Sequence, residues 1–176
     1  MSALELVNTT TISSGVSSVN VTSVFTADYE VYKVVGANFL GATSTATGTN
    51  LRLINSSSSV ITDDYMYAQL TMKGETSFGE NRSEDEDRIW NVFSGIDDSG
   101  QASGGCFWIF NPFSSGNYTW VLYESSGIPS GNFRGYKGIA VDPNNTSITG
   151  FQVENNEGVN FNGGGTIQTF GLRVDT

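Results

Sequence analysis

An alternating stretch near the end of the chain decides the fold class: Thr166-Ile167-Gln168-Thr169-Phe170-Gly171-Leu172-Arg173-Val174. Apolar and polar residues mostly alternate along it, which is the pattern of a strand with one buried and one exposed face. A glycine-rich turn, Gly163-Gly164-Gly165, leads into this stretch. Near the other end of the chain, Val19-Asn20-Val21-Thr22-Ser23-Val24 alternates in the same way. Both ends therefore predict half-buried strands.

Similar runs recur between these ends, with a strand and its turn together taking about 8–12 residues. Turns rich in Gly, Asn, Asp and Ser separate them. The pattern predicts an all-β, antiparallel β-sandwich, jelly-roll-like, of about 8–11 strands. The predicted strands are Leu4–Ile12, Ser18–Phe25, Val31–Phe39, Leu51–Asn55, Tyr65–Met72, Ile89–Ile96, Gly105–Phe110, Tyr118–Tyr123, Gly135–Val141, Ser147–Glu154 and Thr166–Val174.

The chain has 176 residues, which suits a single domain. We predict an N-terminal strand or arm at residues 1–12 and one sandwich domain at residues 13–176. The segment Thr76–Arg88 is rich in acidic residues and lacks clear alternation. The spacing of Ser83 and Glu86 resembles a capping box, so we expect a mobile loop or one helical turn there.

The charge balance argues against two classes of binding partner. The chain has 8 Lys and Arg against 18 Asp and Glu, a formal net charge of −10. Such acidity repels phosphate backbones and anionic bilayers, so we expect neither nucleic-acid nor membrane binding. The N-terminus lacks the positive and apolar regions of a signal peptide. The protein is therefore expected to be made in a cytoplasm.

The sequence offers little for nucleophilic catalysis. Histidine is absent, so a serine would need a lysine or a carboxylate as its base. We interpret Lys33 and Lys73 as strand residues without a catalytic role, and no spacing places Lys137 beside a serine. Cys106, the single cysteine, lies beside Phe107 and Trp108 and is interpreted as a buried structural thiol. We therefore predict no enzyme and no catalytic residues.

Acidic clusters are the next candidates. Asp63-Asp64, Asp97-Asp98 and Glu84–Asp87 are each predicted to lie in wet, turn-like stretches, which do not raise a carboxyl pKa as glycosidase chemistry requires. The oxygen-rich loops Asp97–Gln101 and Asp142–Asn145 contain ligand types that calcium prefers, but they lack the spacing of an EF-hand loop. We interpret them as turns and predict no metal and no cofactor.

The tryptophans Trp90, Trp108 and Trp120 are the candidates for stacking on sugars. Trp108 belongs to an almost fully apolar run, which predicts a strand buried on both faces. In the strand Tyr118–Tyr123, the side chains of Tyr118, Trp120 and Leu122 share one face. Because aromatic burial dominates core energetics, we interpret that face as part of the core. A binding module would instead place an exposed Trp or Tyr beside Asp97-Asp98.

The sequence resembles small β-sandwich proteins in the particles of tailed bacteriophages, especially phages of marine bacteria. The resemblance is carried by Ser14–Val19, by Val24-Phe25 with Tyr29 and Tyr32, by Leu51-Arg52-Leu53, by Tyr65, and by Gly165–Val174 with its aromatic–glycine pair Phe170-Gly171. The acidic segment Glu80–Arg88 is not part of this pattern.

The resemblance implies a non-enzymatic virion protein that decorates the capsid or forms part of a tail or fibre. Its partners would be phage capsid or tail proteins and further copies of itself, with a trimer favoured. Shortness and the absence of heptads or repeats favour capsid decoration over a fibre. The alternative is a carbohydrate-binding jelly-roll module, whose partners would be host-surface glycans. No site residues follow from the resemblance.

Overall fold

The alternating segments form strands that pair into two antiparallel sheets. The structure, a computed structural model, describes residues 3–173. Two short 3₁₀ turns, Pro129–Gly131 and Asn156–Gly158, interrupt the strand succession. The strands are β1 (Ala3–Thr11), β2 (Ser18–Val21), β3 (Val31–Phe39), β4 (Thr47–Asn55), β5 (Tyr65–Lys73), β6 (Gly79–Glu86), β7 (Ile89–Ile96), β8 (Ser103–Phe110), β9 (Thr119–Gly127), β10 (Arg134–Asp142), β11 (Ile148–Asn155) and β12 (Thr166–Arg173).

The sheet order is that of a jelly roll with two added hairpins. The large sheet runs β1-β12-β3-β8-β9-β10-β5-β6, and the small sheet runs β2-β11-β4-β7. When the β5–β6 and β9–β10 hairpins are left out, the large sheet runs β1-β12-β3-β8 and faces the small sheet, β2-β11-β4-β7. This is the interleaved strand order of a jelly roll. The two hairpins extend one sheet only. The predicted all-β antiparallel sandwich is confirmed.

A chain of aromatic rings joins the two sheets. The Phe107 ring on β8 lies 5.4 Å from the ring of Phe151 on β11 and 6.1 Å from the ring of Phe93 on β7, centroid to centroid. The Phe151 ring in turn stacks 5.8 Å from that of Phe25. All four side chains are buried. These contacts fix the large sheet on the small one through edge-to-face and stacked geometry.

The prediction for Thr76–Arg88 is wrong: most of this segment is strand β6. It pairs with β5, and Arg82 lies opposite Ala68. The hydroxyl of Ser83 contacts the main chain of Asp85 within the strand instead of capping a helix. β6 is an edge of the large sheet, where charged side chains are common because they discourage further strand pairing. Its charges therefore mark an edge strand.

Several predicted strand boundaries also differ: β4 begins at Thr47, four residues before the predicted Leu51, and β9 extends to Gly127, four residues beyond the predicted Tyr123. β2 ends at Val21, because Ser23 adopts a left-handed conformation (φ 57°) that turns the chain. Phe25 consequently reaches the core from a loop. Within the predicted segment 1–12, the described residues form edge strand β1, and Ile12 is buried. Met1, Ser2 and Val174 lie outside the described residues.

The packing of Tyr123 over Gly138 gives a first testable prediction. A Cβ at Gly138 would lie 2.3 Å from Cζ of Tyr123, the residue opposite it on β9. Gly138→Ala therefore displaces the ring and breaks the bond that the Tyr123 hydroxyl donates to Gln69 (3.2 Å). We expect a loss of about 2 kcal/mol in the free energy of unfolding, measured in urea.

Gly116 provides the matched control, since a Cβ there meets no atom within 4 Å. Gly116→Ala should leave the urea midpoint nearly unchanged or raise it slightly. Equal midpoints for the two alanine variants would show that the ring of Tyr123 does not need the space above Gly138.

Candidate interaction surface

The large sheet has one face toward the small sheet and one face toward solvent, which we call the outer face. Strand pairing aligns one outward residue from each of the eight strands into a continuous row. Six of these eight residues are apolar. In strand order, the row is Leu6, Phe170, Lys33, Trp108, Leu122, Ile139, Ala68 and Arg82.

Both added hairpins expose large apolar side chains on this face. Trp120 is 50% exposed, Leu122 40% and Ile139 57%. Met66 and Leu70 on β5 are also exposed. Ordinary protein surfaces rarely expose several large apolar side chains side by side. Such a group on one sheet face therefore indicates an interaction surface.

The interpretation of Tyr118, Trp120 and Leu122 as core is therefore wrong, although their shared face is confirmed. The opposite side chains of the same segment, Val121 and Tyr123, are buried. Both faces of this strand are apolar, so alternation alone could not tell which face the small sheet covers.

Trp108 also lies on the outer face, in a strand whose other face is buried. Its neighbours Phe107 and Ile109 are fully buried, whereas Trp108 itself is only partly buried on the outer face. The prediction of a strand buried on both faces is thus wrong for one face. Lys33 Nζ lies 5.2 Å from the centre of the Trp108 ring, a cation–π contact that leaves the stem of Lys33 along the apolar row.

A shallow groove crosses the outer face between β9, β10, β5 and β6. Its volume is about 570 Å³. Trp120, Ile139 and Met66 form its apolar floor, and Arg82 and Glu84 stand along its β6 side. An apolar floor with charged groups at one border suits either another protein surface or a ligand that stacks on tryptophan.

The charges on the outer face balance. The cations are Lys33, Lys137 and Arg82, and the anions are Glu80, Glu84 and Glu124. Lys137 Nζ and Glu124 Oε2 are 3.9 Å apart on adjacent strands. Because the whole chain carries −10, the acidity lies on the other surfaces.

Cys106 also lies on the outer face. It is opposite Val35 on one side and Glu124 on the other, and it is half-buried, so the prediction of a buried position is wrong. Burial raises the pKa of its thiol, and nearby Lys33 opposes that shift only in part. A raised thiol pKa keeps the group protonated at neutral pH, which agrees with a structural role.

Asp97 is not the wet turn residue that its sequence predicts. It is 3% exposed, and its carboxylate accepts hydrogen bonds from the main-chain N–H of Ser99 (2.9 Å), the Ser99 hydroxyl and the N–H of Ser130. Burial acts to raise the pKa of Asp97, but these bonds outweigh it and lower the pKa. The ionised carboxylate of Asp97 therefore joins the β7–β8 loop to the β9–β10 loop through hydrogen bonds.

Asp142 is buried as well. One carboxylate oxygen accepts bonds from the N–H and side-chain amide of Asn144, both at 3.0 Å. Burial raises the pKa of Asp142, and the charges of Asp63 and Asp64 add to this effect. Asp63 and Asp64 are exposed, as expected. Among residues 3–173, no three His, Cys, Asp or Glu side chains are placed to hold one metal ion.

Asp87 belongs to an ion-pair cluster that was not predicted from the sequence. Arg52 pairs with Asp87 and, at 2.8 Å, with Glu154. Arg88 pairs with Asp87 at 2.6 Å and with Glu154 at 2.7 Å. Hydrogen bonds from Arg88 lower the pKa of Asp87 to about 2, despite partial burial. The cluster fastens the β6–β7 turn to β4 and β11.

Trp90 belongs beside this cluster and away from the outer face. Its Nε1–H donates to Glu86 at 3.1 Å, and the Arg88 guanidinium lies 5.0 Å from the centre of its ring. Lys33, Lys73 and Lys137 all lie in strands, on β3, β5 and β10 respectively, and the predicted strand Gly135–Val141 already contained Lys137. No helix among residues 3–173 has the length and hydropathy that a bilayer crossing requires.

Asp97 and the exposed tryptophan lie toward opposite ends of the large sheet. Trp120 is the second residue of β9, while Asp97 contacts Ser130, just beyond the end of β9 at Gly127. Gly127 lies seven positions after Trp120 along the extended strand, a span of about 23 Å.

Comparison of the chain with models of known protein families, with curated proteins and with solved structures finds no match.

Proposed function

We propose that this chain is a non-enzymatic structural protein of a tailed-phage particle, specifically a capsid decoration protein. It joins neighbouring subunits through the outer face of its large sheet. The observation that carries the proposal is this face: a row across eight strands in which six of eight residues are apolar, with large exposed side chains and balanced charges. Such a surface suits a protein contact.

The rest of the molecule supports a scaffolding role. The aromatic chain from Phe25 to Phe93 holds two sheets rigidly together. Asp97 and the Arg52 cluster fix turns and loops in place, so the strongest polar contacts serve rigidity. A rigid body with a defined contact surface can be repeated many times on a particle, where many weak contacts add up. The resemblance to phage sandwich proteins supports the same setting.

The test is quantitative mass spectrometry of purified particles of the phage that encodes the chain. We expect the protein in a fixed ratio to the major capsid protein in every preparation, since a decoration protein occupies a set number of sites. The protein should stay with emptied heads after the tails are removed. Its presence only with tails would support a tail or fibre component, and its absence from particles would refute the proposal.

One observation favours a second candidate, a carbohydrate-binding module. Trp120 is half-exposed in a groove that Arg82 and Glu84 border, and a sugar can stack on such a ring. The loop cluster of tryptophan with Asp97-Asp98, which this alternative predicts, is not formed. A glycan array tests it directly: saturable binding that Trp120→Ala abolishes would favour this candidate over the structural one.

A further inference from the structure

We propose that the partner on the outer face is a second copy of this chain, joined face to face. The inference rests on the proposed docking role of that face and names the subunit that occupies it. Three properties of the face carry it: its area, its charge balance and its row-like arrangement of apolar side chains.

The area of the outer face matches what a stable dimer needs. Eight strands spaced about 4.8 Å apart span about 34 Å, and eight residues of strand extend about 27 Å. The face therefore measures about 900 Å² on each copy. Standard protein–protein interfaces bury about 800 Å² on each partner, so one face suffices for specific association.

The charges favour a copy of the same chain over an oppositely charged partner. A chain of net charge −10 that docked on a basic surface would be expected to present its acidic residues there. The outer face instead carries three cations and three anions, with Lys137 already beside Glu124. Two such faces can meet without net repulsion, while the acidic surfaces point away from each other.

Pairing of the face with itself sets the number of copies. When a patch pairs with the same patch on another molecule, a two-fold axis relates the two, and the contact closes at two subunits. Each copy then covers the apolar row of the other, including Leu122 and Ile139. We therefore expect a dimer of about 38 kDa, twice the 18.9 kDa of one chain, instead of the trimer that the resemblance implies.

Light scattering on the purified full chain tests the dimer, with Leu122→Glu as the disrupting variant. A buried glutamate from each copy would lie in an apolar contact, so we expect association at least about 100-fold weaker. Phe113→Glu is the matched control, because Phe113 is also 40% exposed but lies in the β8–β9 turn. Circular dichroism checks that both variants fold.

Cys106 supplies an independent measurement. It is the single cysteine, it lies on the outer face, and it is partly accessible in one chain. A dimer covers it, so its reaction with a thiol reagent should slow as protein concentration rises. In Leu122→Glu the reaction rate should not depend on concentration.

The outcomes separate clearly. A dimer that Leu122→Glu dissociates and Phe113→Glu preserves supports the inference. A monomer at all concentrations, a trimer, or a dimer that survives Leu122→Glu would overturn it, the last because the copies would be joined elsewhere. These results come from the isolated protein, whereas the proposed function is judged by particle composition, so either can fail without the other.

Discussion

Phe107→Ala is expected to lower the free energy of unfolding by about 3–5 kcal/mol. Phe107 is fully buried on β8, and its ring contacts Phe93 and Phe151 on the small sheet. Alanine removes the central ring of this chain and leaves a cavity between two sheets whose backbones are held by strand pairing and cannot collapse into it. Urea unfolding followed by tryptophan fluorescence measures the loss.

Phe78→Ala is the control for the same substitution at a surface position. Phe78 is 66% exposed in the β5–β6 connection, so its truncation should cost less than about 0.5 kcal/mol. A cost for Phe107→Ala near that of Phe78→Ala would mean that the aromatic chain does not join the sheets as described.

Arg52→Ala is expected to cost about 3 kcal/mol, the second largest effect. The Arg52 side chain is only 14% exposed, and it holds Asp87 and Glu154 together while its Nε–H donates to the Asp87 carbonyl at 2.9 Å. Alanine leaves Arg88 alone to pair with both carboxylates, of which Glu154 is only 11% exposed and Asp87 41% exposed. The exposed Lys137–Glu124 pair gives the comparison, because Lys137→Ala should cost less than about 1 kcal/mol.

The same cluster makes stability depend on acidity in a defined direction. The pKa of Asp87 is about 2 in the folded chain, below its ordinary 3.8. Asp87 therefore stabilises the fold above pH 3.8, and this contribution is lost as the pH falls from 3.8 through about 2. In the Arg52→Ala variant, the free energy of unfolding should fall less on acidification than it does in the wild type. An identical pH profile for variant and wild type would contradict the role of Arg52.

Alternation and turn residues were sufficient to predict the sandwich, because each depends on neighbours in sequence. The edge strand β6 escaped prediction because Glu80, Arg82 and Glu84 all point outward at an edge, where no buried face imposes apolar residues. A run of alternating charges next to a confirmed strand could have suggested it.

The candidate surface was harder to predict than the fold. In Tyr118–Tyr123 both faces are apolar, and the choice between core and surface depends on which face the small sheet covers. That depends on sheet order, a long-range property. Asp97 illustrates the same limit: its turn chemistry is visible in sequence, but the hydrogen bond that it accepts from Ser130 comes from thirty-three positions away.

The two edges of the large sheet differ, and this difference governs polymerisation. β1 offers a backbone edge with Leu4, Leu6 and Val7 and a single charge, whereas β6 carries alternating charges along most of its length. Endless growth of a ribbon would require β6 of one chain to pair with β1 of the next. The charges of β6 oppose that step, so we expect the protein not to form filaments even at high concentration.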